Sequence, residues 1–144
     1  MEYLNPVLAK ARQVNLVQRI EDIIFTRKEE IIEKVREQWK QGIRPDGTII
    51  GTYQSFSYQR QKLAQNPAAG GNVDLILTGA LNENLTLNKV FRATFTIFST
   101  DPKATIIAQK YGLDVYGLNN EEKEDFLNMV SAEAFLIAIN NIYT

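Results

Sequence analysis

Cysteine and histidine are both missing from this chain of 144 residues. Their absence removes disulfides, thiolate and imidazole metal sites, and every nucleophile–base pair built on either side chain. It leaves the compartment open, because a cysteine-free chain works in reducing and oxidising surroundings alike. A dominant charge is missing too. The 16 basic residues face 17 acidic ones, a formal net charge of −1, so no strong overall field draws the chain to nucleic acid or anionic lipid. No apolar run reaches the roughly 18 residues that suggest a membrane span. The first fifteen residues, Met1 to Asn15, lack the basic start and apolar core of a secretion signal. The expectation is a protein made and kept in a cytoplasm. Hydrophobic residues make up 44% and charged residues 23%, which argues against disorder, and the length suits one domain with a real core.

Residues 7–41 carry helical spacing, with Val17, Ile20, Ile24, Ile31, Val35 and Trp39 mostly three or four apart. Thr26 and Glu29 have capping-box spacing, so the segment reads either as one long helix or as two that meet near Phe25. Gly42 is a natural stop. Pro45-Asp46-Gly47 predicts a turn, followed by a short extended piece around Thr48 to Tyr53. Ser57 is the expected cap of a short polar helix that Pro67 closes, and Asn66 to Asn72, "NPAAGGN", reads as a flexible loop tip. Residues 73–99 read as β. Val73, Leu75 and Leu77 alternate with Asp74, Ile76 and Thr78, and Phe91, Ala93, Phe95 and Ile97 alternate with residues such as Arg92 and Thr94. Asn82-Glu83-Asn84 and Asn88-Lys89 are turn material, although Thr78 to Leu85 also fits a helical turn.

Asp101-Pro102 opens a further helix that runs to Tyr111 and stops at Gly112. Leu113 to Tyr116 is a connector or a short strand. Asn119 caps the last helix, with Glu121 and Glu122 at its positive end. The predicted fold is α+β in a single domain, 1–144, with 1–41 as an N-terminal helical arm and 42–144 as an α+β core. It comprises a long helix or helix pair, a central antiparallel sheet, helices between and after the strands, and a C-terminal helix packed on the sheet.

Chemistry-bearing constellations are few. Glu29-Glu30 and Glu121-Glu122 are adjacent on helices and do not face each other, so solvated faces and helix starts account for them. Asp46 and Asp74, in or beside turns, are read in the same way. The glycines form no phosphate loop, because Gly-x-x-x-x-Gly-Lys-Ser/Thr is absent. Tyr53 to Lys62 interleaves aromatic and basic residues, as nucleic-acid surfaces do, but with few cations. Tyr53, Phe56 and Tyr58, with Trp39 nearby, either pack down over the sheet or form an interface, where aromatics are enriched. Ala134 to Ile139, "AFLIAI", is apolar all round a helix. Such a helix is wrapped centrally or covered by a second chain, and central burial is the expectation here.

One order of motifs stands out. A helix leads into Gly42 and Gly47, then Tyr53, Tyr58 and Lys62, then Leu75, Thr78, Gly79 and Leu81. Downstream come Ala104, Tyr111-Gly112, Gly117-Leu118 and Glu121-Glu122. This order resembles that of small tailed-phage morphogenesis proteins: the head–tail connector, neck and tail-completion family. The resemblance covers residues 36–126. Asn84 stands where the family usually has a small polar residue such as serine, and Val115-Tyr116 where it usually has Arg-Pro.

The resemblance implies a structural virion protein with no catalytic residue, cofactor or metal. Copies would form a ring at the head–tail junction, made in the host cytoplasm, against portal, other connector or tail proteins and away from any membrane. DNA would pass through the channel without specific binding, which the near-neutral charge suits. Contact residues are chosen on exposure and chemistry alone. They are Arg44, Asp46, Tyr53, Phe56 and Tyr58 in the loop, Asn66 to Gly71 with Gly70 and Gly71 at the tip, and Trp39 as an anchor. Two other readings compete. One is a small cytosolic hydrolase using Asp46 with Asp74 or Glu83, and the other is a monomeric adaptor that binds a peptide at a sheet edge.

Overall fold

The computed structural model describes residues 16–76, 79–91 and 94–143, with 138–143 as backbone only. In chain order the elements are α1 (Leu16–Thr26), α2 (Lys28–Gln41), α3 (Phe56–Gln65), α4 (Ala80–Glu83), β1 (Leu85–Phe91), β2 (Thr94–Ser99), α5 (Ala104–Tyr111) and α6 (Asn120–Tyr143). Two 3₁₀ turns occupy Pro67–Ala69 and Leu113–Tyr116. The strands pair antiparallel, and the class is α+β as predicted.

Of the two readings of the N-terminal segment, the pair of helices is the one observed, over the part that is described. The break lies at Arg27, and the capping box does not form. Thr26 instead donates its hydroxyl back to the Asp22 carbonyl one turn earlier. A helical threonine has this option, and it takes the oxygen away from the cap. Arg27 ties the joint to α6 through Glu133 at 2.9 Å, and Lys34 lies 3.8 Å from Glu122 near the other end. The α1–α2 arm therefore runs antiparallel to α6.

Ile24, Ile31, Ile32, Val35 and Trp39 of the arm share one core with Leu85, Leu87, Val115, Phe126 and Val130. The described part of the arm is thus continuous with the rest. Helix α6 presents Phe126, Val130, Ala134 and Ile137 to that core, a single stripe at helical spacing. Phe135 and Leu136 are 58% and 62% exposed, which overturns the expected central burial of "AFLIAI" up to Ile137; the side chains beyond it lie outside the description. The helix turns about 100° per residue, and one antiparallel arm covers one stripe of it.

The hairpin puts Leu85 and Leu87 of β1 and Ile97 of β2 on its core face, and leaves Val90 and Phe91 exposed at its far end. Asn88 and Lys89, read above as turn material, lie inside β1. Of the strand expected over 73–78, the described part, 73–76, is not a strand, and Leu77 and Thr78 lie outside the described residues. Val73, Asp74 and Leu75 are all buried, so the apolar–polar alternation there is not an inside–outside alternation. Gly79, at φ 87, leads directly into α4, the helical turn entertained above; Thr78 lies outside the described residues.

The C-terminal third follows the sequence closely. Helix α5 begins two residues after Pro102, with the Asp101 carboxylate accepting from the Lys103 amide. It ends at Gly112. The Asn119 side chain accepts from the amides of Glu121 and Glu122, the cap expected for α6. Leu113–Tyr116 is a 3₁₀ turn and not a strand. It is docked by the Trp39 indole donating to the Val115 carbonyl at 2.7 Å and by the Tyr116 hydroxyl donating to the Ala104 carbonyl. No helix among the described residues is long and apolar enough to cross a membrane.

Candidate interaction surface

The segment between α2 and α4 is built by local turn chemistry and a few polar pins. At Gly42, φ is 71, and a Cβ there would stand 3.0 Å from the Val73 carbonyl oxygen, so both conformation and space call for glycine. Ile43 bridges to Ile49 across the Pro45-Asp46-Gly47 turn. Beyond that bridge the extended piece expected at 48–53 has no ladder. The Asp46 carboxylate accepts from the Thr48 hydroxyl and amide, and these two bonds hold its pKa below the usual carboxylate value. Arg44 donates to the Tyr111 and Ile50 carbonyls and pairs with Asp114 at 2.9 Å.

Deeper in the layer lies a buried ion pair. Lys62 and Asp74, 5% and 1% exposed, meet at 2.9 Å. Lys62 also donates to the Ile76 carbonyl, and Asp74 accepts from the Asn66 side-chain amide and the Ile76 backbone amide. Asn66 donates in addition to the Lys40 carbonyl at the end of α2. These bonds satisfy the charges that burial would otherwise make costly. The reading of Asp74 as a solvated turn acid is therefore corrected. Its partner is twelve residues away in sequence, beyond any local spacing rule. The Tyr53 hydroxyl is buried beside Asp74 without a hydrogen bond. Burial first, and the Asp74 charge second, push its pKa up to about 12.

Helix α3 sits on this pin. Ser55, not Ser57, is its cap; the Ser55 oxygen accepts from the Tyr58 amide, while Ser57 shares a hydroxyl bond with Ser55. Lys62 is the one buried residue of the helix. Phe56 is 70% exposed, Leu63 45% and Tyr58 39%. Tyr58 stands edge-on to Tyr53 with ring centres 4.8 Å apart, and the Arg60 guanidinium lies 5.8 Å over the Phe56 ring. The "NPAAGGN" segment is not a loose tip, because Ala69 and Gly71 are buried and Asn66 is bonded inward. A Cβ on Gly71 would come within 3.2 Å of Gln59 on α3.

The structure sorts the nine candidate contact residues. Asp46, Phe56, Tyr58 and Gly70 face solvent. Trp39 is fully buried and packs edge-on against Tyr116, so it serves only as an anchor. Gly71 is interior, Asn66 and Arg44 spend their donors within the chain, and Tyr53 is half-buried. Two further exposed residues of α3, Arg60 and Leu63, were not among those singled out from the sequence. Their signal was present, since Phe56, Arg60 and Leu63 are spaced to share one face of α3.

The acids of the hydrolase reading do not converge. Asp46 is bound to Thr48, Asp74 to Lys62, and Glu83 is exposed on α4. None of them lines the groove of about 600 Å³ between β2 and the start of α6, or the groove of about 490 Å³ between α2 and α6. No family model, curated protein or solved structure matches the chain.

Proposed function

We propose that this chain is a structural virion protein of a tailed phage, one whose copies form a ring at the head–tail junction around the DNA channel. The observation that carries the reading is α3. A helix with a single buried residue displays Phe56, Tyr58 and Leu63 to solvent while a buried ion pair fixes its position. Exposed apolar surface on a rigidly placed element is what a docking face requires.

The positions that carry the family resemblance support it further. Gly42, Gly47, Gly79 and Gly112 all take positive φ, Lys62 forms the buried pair, and Leu75 is in the core. These are scaffold roles, suited to a part whose work is to hold surfaces in place. A second, different apolar surface at Phe135 and Leu136 on α6 is consistent with contacts in which each copy offers unlike faces to its two neighbours.

Sedimentation velocity over a concentration series, followed by electron microscopy of the particles, tests the reading. Closed rings with a central opening are the expected result. A monomer at every concentration, with no ring in the images, overturns it.

A further inference from the structure

Helix α3 carries a stripe of Phe56, Arg60 and Leu63, all exposed. Arg60 makes no ion pair among the described residues, and no acidic residue occurs from Gly47 to Val73. The outer face of α6 is its complement. Glu121, Glu124 and Asp125 sit exposed near the start of that helix, unpaired among the described residues. Asn128 and Ala132 follow on the same face, and Phe135 and Leu136 lie beyond them. One face is apolar with a cation that pairs with no carboxylate among the described residues, and the other is a run of acids leading through a small, shallow stretch to apolar side chains. Unspent opposite charges flanked by exposed apolar groups are the ingredients of a steered, specific contact.

We infer that the Phe56–Arg60–Leu63 stripe of one copy seats on the outer face of α6 of a second copy. Arg60 lies against Glu124 and Asp125, and Leu63, one turn further along α3, lies against Asn128, one turn further along α6. The inference rests on the proposed ring assembly and names its subunit contact. Each copy has one α3 and one α6, so the contact is head-to-tail and propagates from copy to copy until it closes. It also accounts for two observations with one partner: the exposed stripe of α3 with its Arg60, and the acids Glu124 and Asp125 of α6, these charges being unpaired among the described residues.

The lack of native cysteine permits a direct test. Leu63→Cys and Asn128→Cys are prepared separately; both positions are exposed, and circular dichroism confirms that each variant folds. Oxidation of the 1:1 mixture is expected to give a 63–128 disulfide dimer that neither variant gives alone. Arg60→Glu placed in the Leu63→Cys chain is expected to lower that yield at least about tenfold, and Glu124→Arg with Asp125→Arg in the partner chain to restore it.

Cross-links within single-variant samples in place of the mixed dimer would mean a symmetric contact and would overturn the inference. Closed rings without any 63–128 cross-link overturn the inference but leave the ring assembly standing. A monomer at every concentration with no cross-link overturns both.

Discussion

The two halves of this molecule are held by different forces. The body made of α1, α2, α6 and the hairpin is ordered by a contiguous apolar core, from Ile24 through Val35 and Leu87 to Val130. The layer at 42–76 contributes few apolar anchors, chiefly Ile50, Val73 and Leu75, and is ordered by directional pins: Arg44 on carbonyls, Asn66 between α2 and Asp74, and Lys62 on Asp74. Apolar burial is non-directional and tolerates small shifts. A buried ion pair with its hydrogen bonds fixes geometry sharply but leaves little net stability in reserve. The body therefore supplies stability, and the layer supplies the position of an exposed helix.

The comparison is broken most severely at the pin. Lys62→Ala leaves Asp74 buried without its cation and is expected to cost about 3–5 kcal/mol in urea denaturation; Lys62→Met with Asp74→Leu should recover most of that. An equally polar change in the body, Asn119→Ala, removes a helix cap and the side-chain bond to the Pro45 carbonyl, and its expected cost is about 1–3 kcal/mol.

A pH series sharpens the contrast. Burial holds the Tyr53 and Tyr116 hydroxyls near a pKa of about 12, with the charges of Asp74 and Asp101 as the second cause in each case. Between pH 10 and 12 the unfolded chain loses these protons first, so the contribution is complete below pH 10 and is lost as pH rises through 12. Tyr53→Phe should flatten that fall, and at neutral pH it should leave stability unchanged or slightly raised, since the hydroxyl it removes has no hydrogen bond. The smallest effect belongs to Phe56→Ala, within about 0.5 kcal/mol by thermal melting, because the ring is mostly in solvent.

Legibility in the sequence followed the same divide. The helical body was readable from spacing and caps: Ile24, Ile31 and Val35 point inward, Gly42 and Gly112 stop helices, and Asn119 starts one. Those signals are local, and local geometry settles them. The layer was misread where its order depends on distant partners. Asp74 between Val73 and Leu75 imitates the alternation of a strand, and the lysine that draws it inward lies on another element. The exposure of Phe135 depends on which face of α6 the arm covers, and periodicity does not supply that when the whole run is apolar. Among the candidate contacts, the exposure of Phe56 and Tyr58 was legible from aromatics in an irregular segment, while the burial of Trp39 was not, because a tryptophan beside a loop looks the same whether it closes a core or meets a partner.

Leu75 holds a backbone φ of 53 with its side chain 2% exposed. A bulky residue rarely adopts that conformation, and the twist is what aims the neighbouring carboxylate and amide at each other. The side chain asks for leucine while the main chain asks for glycine, and no residue type answers both. Glycine would relax the twist and open a hole; a β-branched residue would fill the hole and worsen the twist. Position 75 is thus a lock without a spare key, and sequence drift there has nowhere favourable to go.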